Sequence, residues 1–349
     1  MDTDEKFRAS AFDEGSNYFY LFSSRNLKTV QRHFQWMQDY GIDGVYLQRF
    51  ATEVIGGGSA FTNRNVVLDH CKNGANMYGR KYAVMYDLTG LGAGQMQSVI
   101  NDWKYLVDIK QVTRDPADYA YMRHRGKPVV AVWGIGFTGR NYTWAECLTL
   151  INFLKDDPTY GGNTVMIGVN DSWRSNLTDP TLLAIAMKAD IISPWSVGRY
   201  KYLSEIINFT NNVWIPDINW CQSNSTPSHP IDYLPVIWPG YSFHNADATK
   251  LFNEMPRNGG QFLWDQAHYT IHNAHANMLY IAMFDEVDEA TAIFKFTNNP
   301  PHPGGANMFI TPSYDGISLP SDEYLWLTGQ AGQALRGEIP ITSTRPARP

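Results

Sequence analysis

The sequence predicts an α/β fold of the (β/α)8 TIM-barrel class, formed by one domain that spans residues 1–349. Short apolar runs rich in Val, Ile and Tyr recur at intervals of about 35 to 50 residues, with helical periodicity between them. Alternating strands and helices are typical of a parallel sheet, and eight such pairs predict a barrel. An open doubly wound sheet is the alternative, but no Gly-x-Gly-x-x-Gly motif follows the first predicted strand, which disfavours a nucleotide-binding version.

The predicted strands have apolar interiors and end in polar or aromatic residues. They cover residues 18–22, 44–48, 82–86, 128–133, 164–169, 190–193, 234–238 and 279–284. The predicted helices cover residues 27–40, 96–110, 144–155, 180–188, 199–208, 250–255 and 261–276. The glycine run 56–58 predicts a flexible loop, because it lacks the Lys-Ser/Thr of a phosphate-binding loop. Residues from about 297 onward are rich in Pro and Gly, and residues 340–349 predict a loose C-terminal tail.

The composition supports a large folded core and restricts the choice of partners. Hydrophobic residues make up 44% of the chain and charged residues 18%, so disorder over most of its length is not expected. The formal net charge of −6 gives no electrostatic reason to expect nucleic acid or an anionic membrane as a partner. No apolar run reaches the length of about 18 residues that a membrane span needs.

We expect a secreted or extracytoplasmic protein in its mature form, since no charged-then-apolar segment opens the sequence. Asn-x-Ser/Thr sequons give weak support for secretion; they begin at Asn141, Asn170, Asn176, Asn208 and Asn224. Cys71, Cys147 and Cys221 lie far apart and outside any Cys-x-x-Cys pattern, so no zinc or redox motif is indicated. One disulfide with a free thiol and three buried thiols both remain open. We expect no metal and no cofactor, and the oligomeric state is left open.

Polar and aromatic residues follow most of the predicted strands, and in a barrel the carboxyl ends of all strands meet on the face that carries the chemistry. Any single residue could instead belong to a loop or cap the next helix, a role that Asp87 and Asp171 fit well. Aromatic residues make up 14% of the chain, and each ring either belongs to the core or stacks on a sugar. The candidate substrate-binding residues are Tyr46, Gln48, Arg49, Asp87, Trp133, Asn170, Asp171, Trp195, Trp238, His244, Asn245, Asp285 and Asp288.

The most informative segment is the acidic run at 285–289, directly after the last predicted strand. It contains Asp285, Glu286, Asp288 and Glu289. Three interpretations are open: a calcium site, a solvated loop, or a catalytic pair formed by Glu286 and Glu289. A calcium loop usually alternates Asp or Asn with other residues around a Gly, which this segment does not. Carboxylates held close together cannot all ionise freely, and a raised pKa suits a general acid.

Five stretches, taken in order along the chain, resemble the family 99 glycoside hydrolases. They are residues 33–50, 126–130, 192–198, 234–245 and 282–289. That family contains endo-acting α-mannosidases and is related to the family 71 α-1,3-glucanases. The sequence is most similar to a poorly characterised branch that is sometimes labelled xylosidase/arabinosidase. The resemblance implies a (β/α)8 barrel that hydrolyses α-linked sugars in a polysaccharide or glycan.

The resemblance also implies separate roles for the two glutamates of the Glu-x-x-Glu pattern. Glu286 would be the base that deprotonates the 2-hydroxyl of the sugar, giving a 1,2-anhydro intermediate and net retention. Glu289 would be the acid that protonates the leaving oxygen and then activates water. The mannosidases have Trp-His between the glutamates and Gly after them, where this chain has Val287, Asp288 and Ala290. A carbohydrate-binding protein that has lost turnover is the alternative function, although retention of both glutamates favours a hydrolase.

Overall fold

In the computed structural model, the residues described are 2–10, 13, 15, 18–298 and 309–348. The strands are β1 (Phe7–Arg8), β2 (Tyr20–Leu21), β3 (Gly44–Phe50), β4 (Lys81–Asp87), β5 (Arg123–His124), β6 (Lys127–Ile135), β7 (Thr164–Asn170), β8 (Ile191–Trp195), β9 (Asp232–Tyr233), β10 (Val236–Ile237) and β11 (Tyr280–Ile281). The α-helices are α1 (Leu27–Asp39), α2 (Gly58–Met77), α3 (Met96–Asp108), α4 (Trp144–Asp156), α5 (Pro180–Lys188), α6 (Leu203–Phe209), α7 (Ile215–Asn224), α8 (Gln261–His268) and α9 (Glu323–Leu335). Within the described residues, no helix is both long and apolar enough to span a bilayer.

The chain divides into two compact units, each built from separate segments. The sheet unit comprises residues 43–195 and 217–234, and the acidic-loop unit comprises residues 1–42, 196–216 and 235–349. Each unit is described below by itself. The organisation as a single domain stays a prediction.

A parallel sheet forms the centre of the sheet unit. Its strands follow the order β3-β4-β6-β7-β8-β9, and β5 adds an antiparallel pair to β6. The strands β4 and β7 are buried along most of their length, as expected for parallel strands that are covered on both faces. Five predicted strands, from 44–48 to 190–193, therefore exist with boundaries close to those predicted.

Cys71, Cys147 and Cys221 are all buried free thiols, which resolves the choice between a disulfide and three thiols.

The acidic-loop unit contains a second, short parallel pair, β10 and β11. Of the predicted strand 234–238, only Val236–Ile237 is a strand, and it begins directly after Pro235, which has no backbone N–H to donate to a ladder. The α/β class with parallel strands and intervening helices is confirmed, although backbone hydrogen bonds do not close the sheet among the described strands.

Three predictions about the acidic-loop unit are wrong. The run 18–22 forms only β2, which pairs antiparallel with β1 instead of entering a parallel sheet. Residues 250–255 are turns rather than a helix, and the predicted helix 261–276 is α-helical only as far as His268, followed by a π-helical turn at Tyr269–Asn273. Of the Pro- and Gly-rich stretch, residues 299–308 lie outside the described residues.

The C-terminal tail is not loose along its described part. Trp264 donates its indole N–H to the Thr342 carbonyl at 2.8 Å. Arg345 pairs with Glu323, and Arg348 pairs with Asp322 at 2.7 Å. These contacts hold the tail against the start of α9 and against α8. Whether the tail is loose in solution stays a prediction, since composition near a terminus indicates mobility only when no tertiary contact restrains the segment.

Candidate active site

The acidic run lies at the tip of a loop whose two arms are joined by backbone hydrogen bonds. The Met283 N–H donates to the Thr291 carbonyl at 3.1 Å, and the Phe294 N–H donates to the Phe284 carbonyl at 3.0 Å. We call residues 285–290, between these arms, the acidic loop. Because both arms are fixed, the carboxylates between them are held at defined positions rather than on a free chain.

The acidic loop is a tight turn with its own internal hydrogen bonds. The Ala290 N–H donates to the Val287 carbonyl at 3.2 Å, and the Asp288 N–H donates to Glu286 Oε1 at 2.9 Å. Ala290 has a φ of +60°, in the left-handed region that glycine adopts most easily. The resemblance noted above places a glycine at this position. Ala290 therefore adopts the backbone conformation that a glycine would adopt here.

The arms of the acidic loop pack against His33 and Phe22, and we call the cluster formed by Phe22, His33, Phe284 and Phe294 the aromatic floor. His33 of α1 lies between the rings of Phe284 and Phe294, with ring centroids 5.2 Å and 5.7 Å away, and Phe22 contacts both His33 and Phe294. Burial lowers the pKa of His33 to about 4. The imidazole is therefore neutral at pH 7, and the floor under the acidic loop is uncharged.

A second segment braces the acidic loop through its backbone carbonyls. The buried Ser242 donates its N–H to the Glu289 carbonyl at 3.0 Å, and its hydroxyl accepts the Asn253 N–H at 3.1 Å. Asn245 donates its side-chain amide to the Asp288 carbonyl at 3.2 Å. These bonds leave the carboxylates of Glu289 and Asp288 available for other partners.

The carboxylates of the acidic loop differ in the interactions that shift their pKa values. Burial, with help from the charge on Glu286, raises the pKa of Asp285 to about 6. Burial also raises the pKa of Glu286, while hydrogen bonds from the Asp288 and Glu289 amides oppose the rise. For Glu289, burial raises the pKa and the charges on Glu286 and Asp288 raise it further. Asp288 is exposed.

The two glutamates therefore have different environments. Glu286 accepts backbone hydrogen bonds that stabilise its ionised form. Among the described residues, no hydrogen-bond donor acts on the Glu289 carboxylate, and only effects that favour its protonated form are present. This environment suits a base at Glu286 and an acid at Glu289.

Tyr241 is a residue of this site that the sequence reasoning did not select. Burial raises the pKa of its phenol to about 12, with further rises from the charges on Glu289 and Glu254 and an opposing effect from Arg199. Its hydroxyl therefore stays protonated at neutral pH, and it lies close enough to Glu289 for the two groups to interact electrostatically. The Pro-Gly-Tyr turn after the seventh predicted strand is the sequence signal for this residue.

Two other candidates of this unit do not present their side chains as predicted. Trp238 is fully buried, packed against Tyr200 and Phe262, so no face of its indole is open to a sugar. His244 directs Nδ1 to the Lys250 carbonyl at 2.7 Å and packs edge-on against Phe252. Trp238 is a core residue here, and His244 anchors its own loop.

In the sheet unit, the candidates on β3 and β4 form two sets of polar contacts. Arg49 is buried and makes a two-pronged ion pair with Asp102, at 2.6 Å and 2.7 Å, and also bonds to Asn65. These contacts satisfy its guanidinium, so we reassign Arg49 from substrate binding to structure. Gln48 donates to the Asp87 carboxylate at 2.7 Å, and that carboxylate also accepts the Thr89 N–H at 2.8 Å. Burial raises the pKa of Tyr46.

The remaining candidates of the sheet unit include an aromatic pair at the ends of β6 and β8. The rings of Trp133 and Trp195 meet edge-to-face at 5.8 Å, and both residues are partly exposed. Gly168 on β7 makes room for Trp133, because a Cβ there would lie 2.4 Å from the indole Cδ1. Asn170 donates to the Gly136 carbonyl at 3.0 Å, and Asp171 follows at the end of β7. Because both rings are partly exposed, Trp133 and Trp195 remain candidates for stacking on a sugar.

The calcium interpretation of the acidic run finds no support. Across the described ranges, the group that brings three carboxylate ligand atoms together is Asp2, Asp4 and Glu5, not the acidic loop. That group is already paired with Lys28 and Arg32. These ion pairs account for it without a metal.

Comparison with known proteins places this geometry in a known fold. No protein-family model and no curated protein sequence matches the chain. Solved structures do match: a family 99 endo-α-mannosidase from Bacteroides thetaiotaomicron in complex with Bis-Tris-propane has a TM-score of 0.67 and 17% identity, over 91% of this chain and 86% of that chain. A second structure of that enzyme has a TM-score of 0.66 and 17% identity, over 90% and 82%. A structure described as a glycoside hydrolase-like protein has a TM-score of 0.62 and 13% identity, over 94% and 89%. The likeness shows a shared fold, and the predicted (β/α)8 class is confirmed.

Proposed function

We propose that this protein is a glycoside hydrolase that cleaves α-linked sugars in an oligo- or polysaccharide. The observation that carries the proposal is the pair Glu286 and Glu289, held on a braced loop with raised pKa values and with no cationic partner in the part of the chain that the structure describes. Support comes from the fold, which is shared with structures titled endo-α-mannosidase and glycoside hydrolase-like protein. A fold hosts many activities, so the pair of glutamates is the stronger argument.

The proposed mechanism assigns the base to Glu286 and the acid to Glu289. The ionised Glu286, stabilised by the Asp288 amide, takes the proton of the sugar 2-hydroxyl, whose oxygen attacks the anomeric carbon. Glu289, held protonated by burial and by two neighbouring charges, donates its proton to the leaving oxygen. The ionised Glu289 then takes a proton from water, which opens the 1,2-anhydro ring with net retention. Glu286 is regenerated when its proton returns to the 2-oxygen.

Further proposals concern the substrate contacts and the compartment. Trp133 and Trp195 are proposed to stack on sugar rings, and Asn170, Asp171, Gln48, Asp87 and Tyr46 are proposed to bind sugar hydroxyls in the sheet unit. Asn245, Asp285 and Asp288 are proposed to do so in the acidic-loop unit. Secretion and a role in polysaccharide degradation are likewise proposals, supported only by the sequons and the class of reaction.

Reducing-sugar release from a panel of α-linked glycans tests the proposal. The wild type should hydrolyse at least one glycan, and Glu289→Gln should lower kcat on a poor leaving group by about 10²-fold or more. Glu338→Gln is the matched control, because Glu338 is an exposed glutamate of the same unit that pairs with Arg336; it should leave kcat unchanged. A wild type that binds one glycan tightly and cleaves none would favour the non-catalytic carbohydrate-binding alternative.

A further inference from the structure

A buried arginine holds the carbonyl groups that follow Glu289. Arg257 is 3% exposed, and its Nη2 donates to the Ala290 carbonyl at 2.9 Å and to the Ala292 carbonyl at 2.8 Å. These two carbonyls flank Thr291, whose own carbonyl accepts the Met283 N–H that joins the arms of the acidic loop. One guanidinium nitrogen therefore fixes the point at which the loop returns to its stem.

Arg257 is an unusual choice for this place, because no carboxylate forms an ion pair with it among the described residues. Its guanidinium carbon lies 4.4 Å from the centroid of the Tyr324 ring, and the charge on Asp315 acts on it only from a distance. Removing a cation from water without a paired anion costs several kcal/mol. A neutral side chain could fill the same space, so the buried charge calls for an explanation beyond packing.

The surrounding chain is shaped to admit this side chain. Gly240 packs directly on the arginine stem, and a Cβ on Gly240 would lie 2.5 Å from Arg257 Cγ. Tyr241, next to Gly240, is the residue whose phenol feels the charge on Glu289. Gly240 therefore contacts Arg257, and its neighbour Tyr241 interacts electrostatically with Glu289.

The bonds from Arg257 act on the backbone, not on a carboxylate. Ala290 directly follows Glu289, and its carbonyl and that of Ala292 would be left unpaired if the guanidinium were removed. Each buried unpaired carbonyl costs about 1–3 kcal/mol, so the loop would rearrange to reach other donors. Such a rearrangement would move Glu289 relative to Glu286, whose own hydrogen bonds are local to the turn.

We propose that Arg257 is a positioning residue that sets the placement of Glu289 by binding the Ala290 and Ala292 carbonyls. Its contribution to catalysis rests on the proposed function, whereas its hold on the loop does not. A displacement of about 1 Å can cost about 10²-fold in rate. The loss should therefore fall on kcat, since Arg257 itself is too buried to bind substrate.

The test compares Arg257→Ala and Arg257→Lys with Arg8→Ala, a control that removes an exposed arginine and its ion pair to Asp13 in the same unit. The first readout is amide hydrogen exchange of the peptide covering residues 283–294. The second is kcat and KM on a glycan that the wild type hydrolyses. Arg257→Ala should speed exchange in that peptide and lower kcat by about 10²-fold with KM within about threefold. Arg257→Lys should lie between, because one ammonium cannot reproduce the fork. Arg8→Ala should leave both readouts unchanged.

The outcomes separate the two claims. Wild-type exchange in residues 283–294 of the Arg257 variants overturns the proposal, as does faster exchange with wild-type kcat. If Arg257→Ala does not fold, Arg257→Lys carries the same comparison. If the wild type cleaves no glycan, the proposed function fails, and the exchange result alone decides whether Arg257 fixes the loop.

Discussion

The acidic loop and the buried carboxylates of the sheet unit contain the same chemical group in opposite surroundings. In the sheet unit, Asp102 is paired with Arg49 at 2.6 Å, and Asp190 is paired with Lys155 at 2.5 Å. In the acidic loop, Asp285, Glu286 and Glu289 are substantially buried, with raised pKa values and no cation in contact among the described residues. Removing the cation from a paired buried acid is costly to the fold, whereas a buried acid without a cation is held at a cost for which the proposed catalytic role accounts.

Asp217 lies between these two cases. It is fully buried in the sheet unit, where it accepts hydrogen bonds from Trp173 at 2.9 Å and Tyr233 at 3.0 Å and pairs with Arg174. Burial nevertheless raises its pKa to about 6. A raised pKa alone therefore does not mark a catalytic group; among the described residues, what sets the acidic loop apart from Asp217 is that no cation contacts its carboxylates.

The largest expected effect comes from breaking a paired acid in the sheet unit. Arg49→Ala leaves Asp102 buried without its cation, and should lower the free energy of unfolding by about 3–5 kcal/mol. Arg64→Ala removes a half-exposed ion pair with Glu53 and should cost no more than about 1 kcal/mol. Urea unfolding measures both. Equal losses for the two variants would show that pairing does not stabilise the buried acid.

A smaller effect concerns the neutral floor beneath the acidic loop. The folded protein holds the pKa of His33 near 4, below its ordinary 6.5, so the unfolded chain binds a proton that the folded chain refuses. Stability should therefore fall as the pH drops from 6.5 toward 4, by up to about 1.4 kcal/mol per pH unit. His33→Phe should remove this part of the slope.

The measurement is the free energy of unfolding of both proteins at pH 7, 6 and 5. Asp285 and Asp217 have raised pKa values and contribute the opposite slope, but they do so in both proteins, and the difference isolates His33. Parallel curves for the wild type and His33→Phe would contradict a neutral buried imidazole.

The smallest effect is expected at the end of the acidic loop. Ala290→Gly relieves an Ala in the left-handed region and loses one buried methyl group, two effects of about 1 kcal/mol with opposite signs. The variant should therefore stay within about 1 kcal/mol of the wild type in thermal unfolding and retain its kcat. A loss well above that value would mean that the methyl group, and not the turn, holds the loop.

Much of the sheet unit could be predicted from sequence. The strands β3, β4, β6, β7 and β8 are apolar runs bounded by polar residues, a local pattern that directly reflects burial on both faces. The run 18–22 has similar composition, but its partner is β1, a two-residue exposed strand too short for a local pattern to reveal. The sequence does not predict helix α2, because its own polar residues occur on every face and no apolar stripe marks the helix.

The site could be predicted only in part. The Glu-x-x-Glu spacing suggests Glu286 and Glu289 as the candidate pair, because both glutamates are close in sequence, and their roles stay a prediction. Trp238 was misassigned, since strand residues alternate between faces and the sequence does not say which face is the core. Arg257 reaches the acidic loop through a tertiary contact that leaves no local signal, whereas Tyr241 lies in a Pro-Gly-Tyr turn that the sequence does show.

Fluoride release from an α-glycosyl fluoride tests most directly whether the two glutamates differ as their surroundings indicate. Fluoride leaves without a proton, so an acid is not needed, whereas a base is. We predict that Glu289→Gln releases fluoride in its first turnover at close to the wild-type rate while failing on the natural linkage, and that Glu286→Gln is slowed by about 10²-fold or more on both. Equal losses for Glu289→Gln on both substrates, or a spared Glu286→Gln, would contradict the assignment.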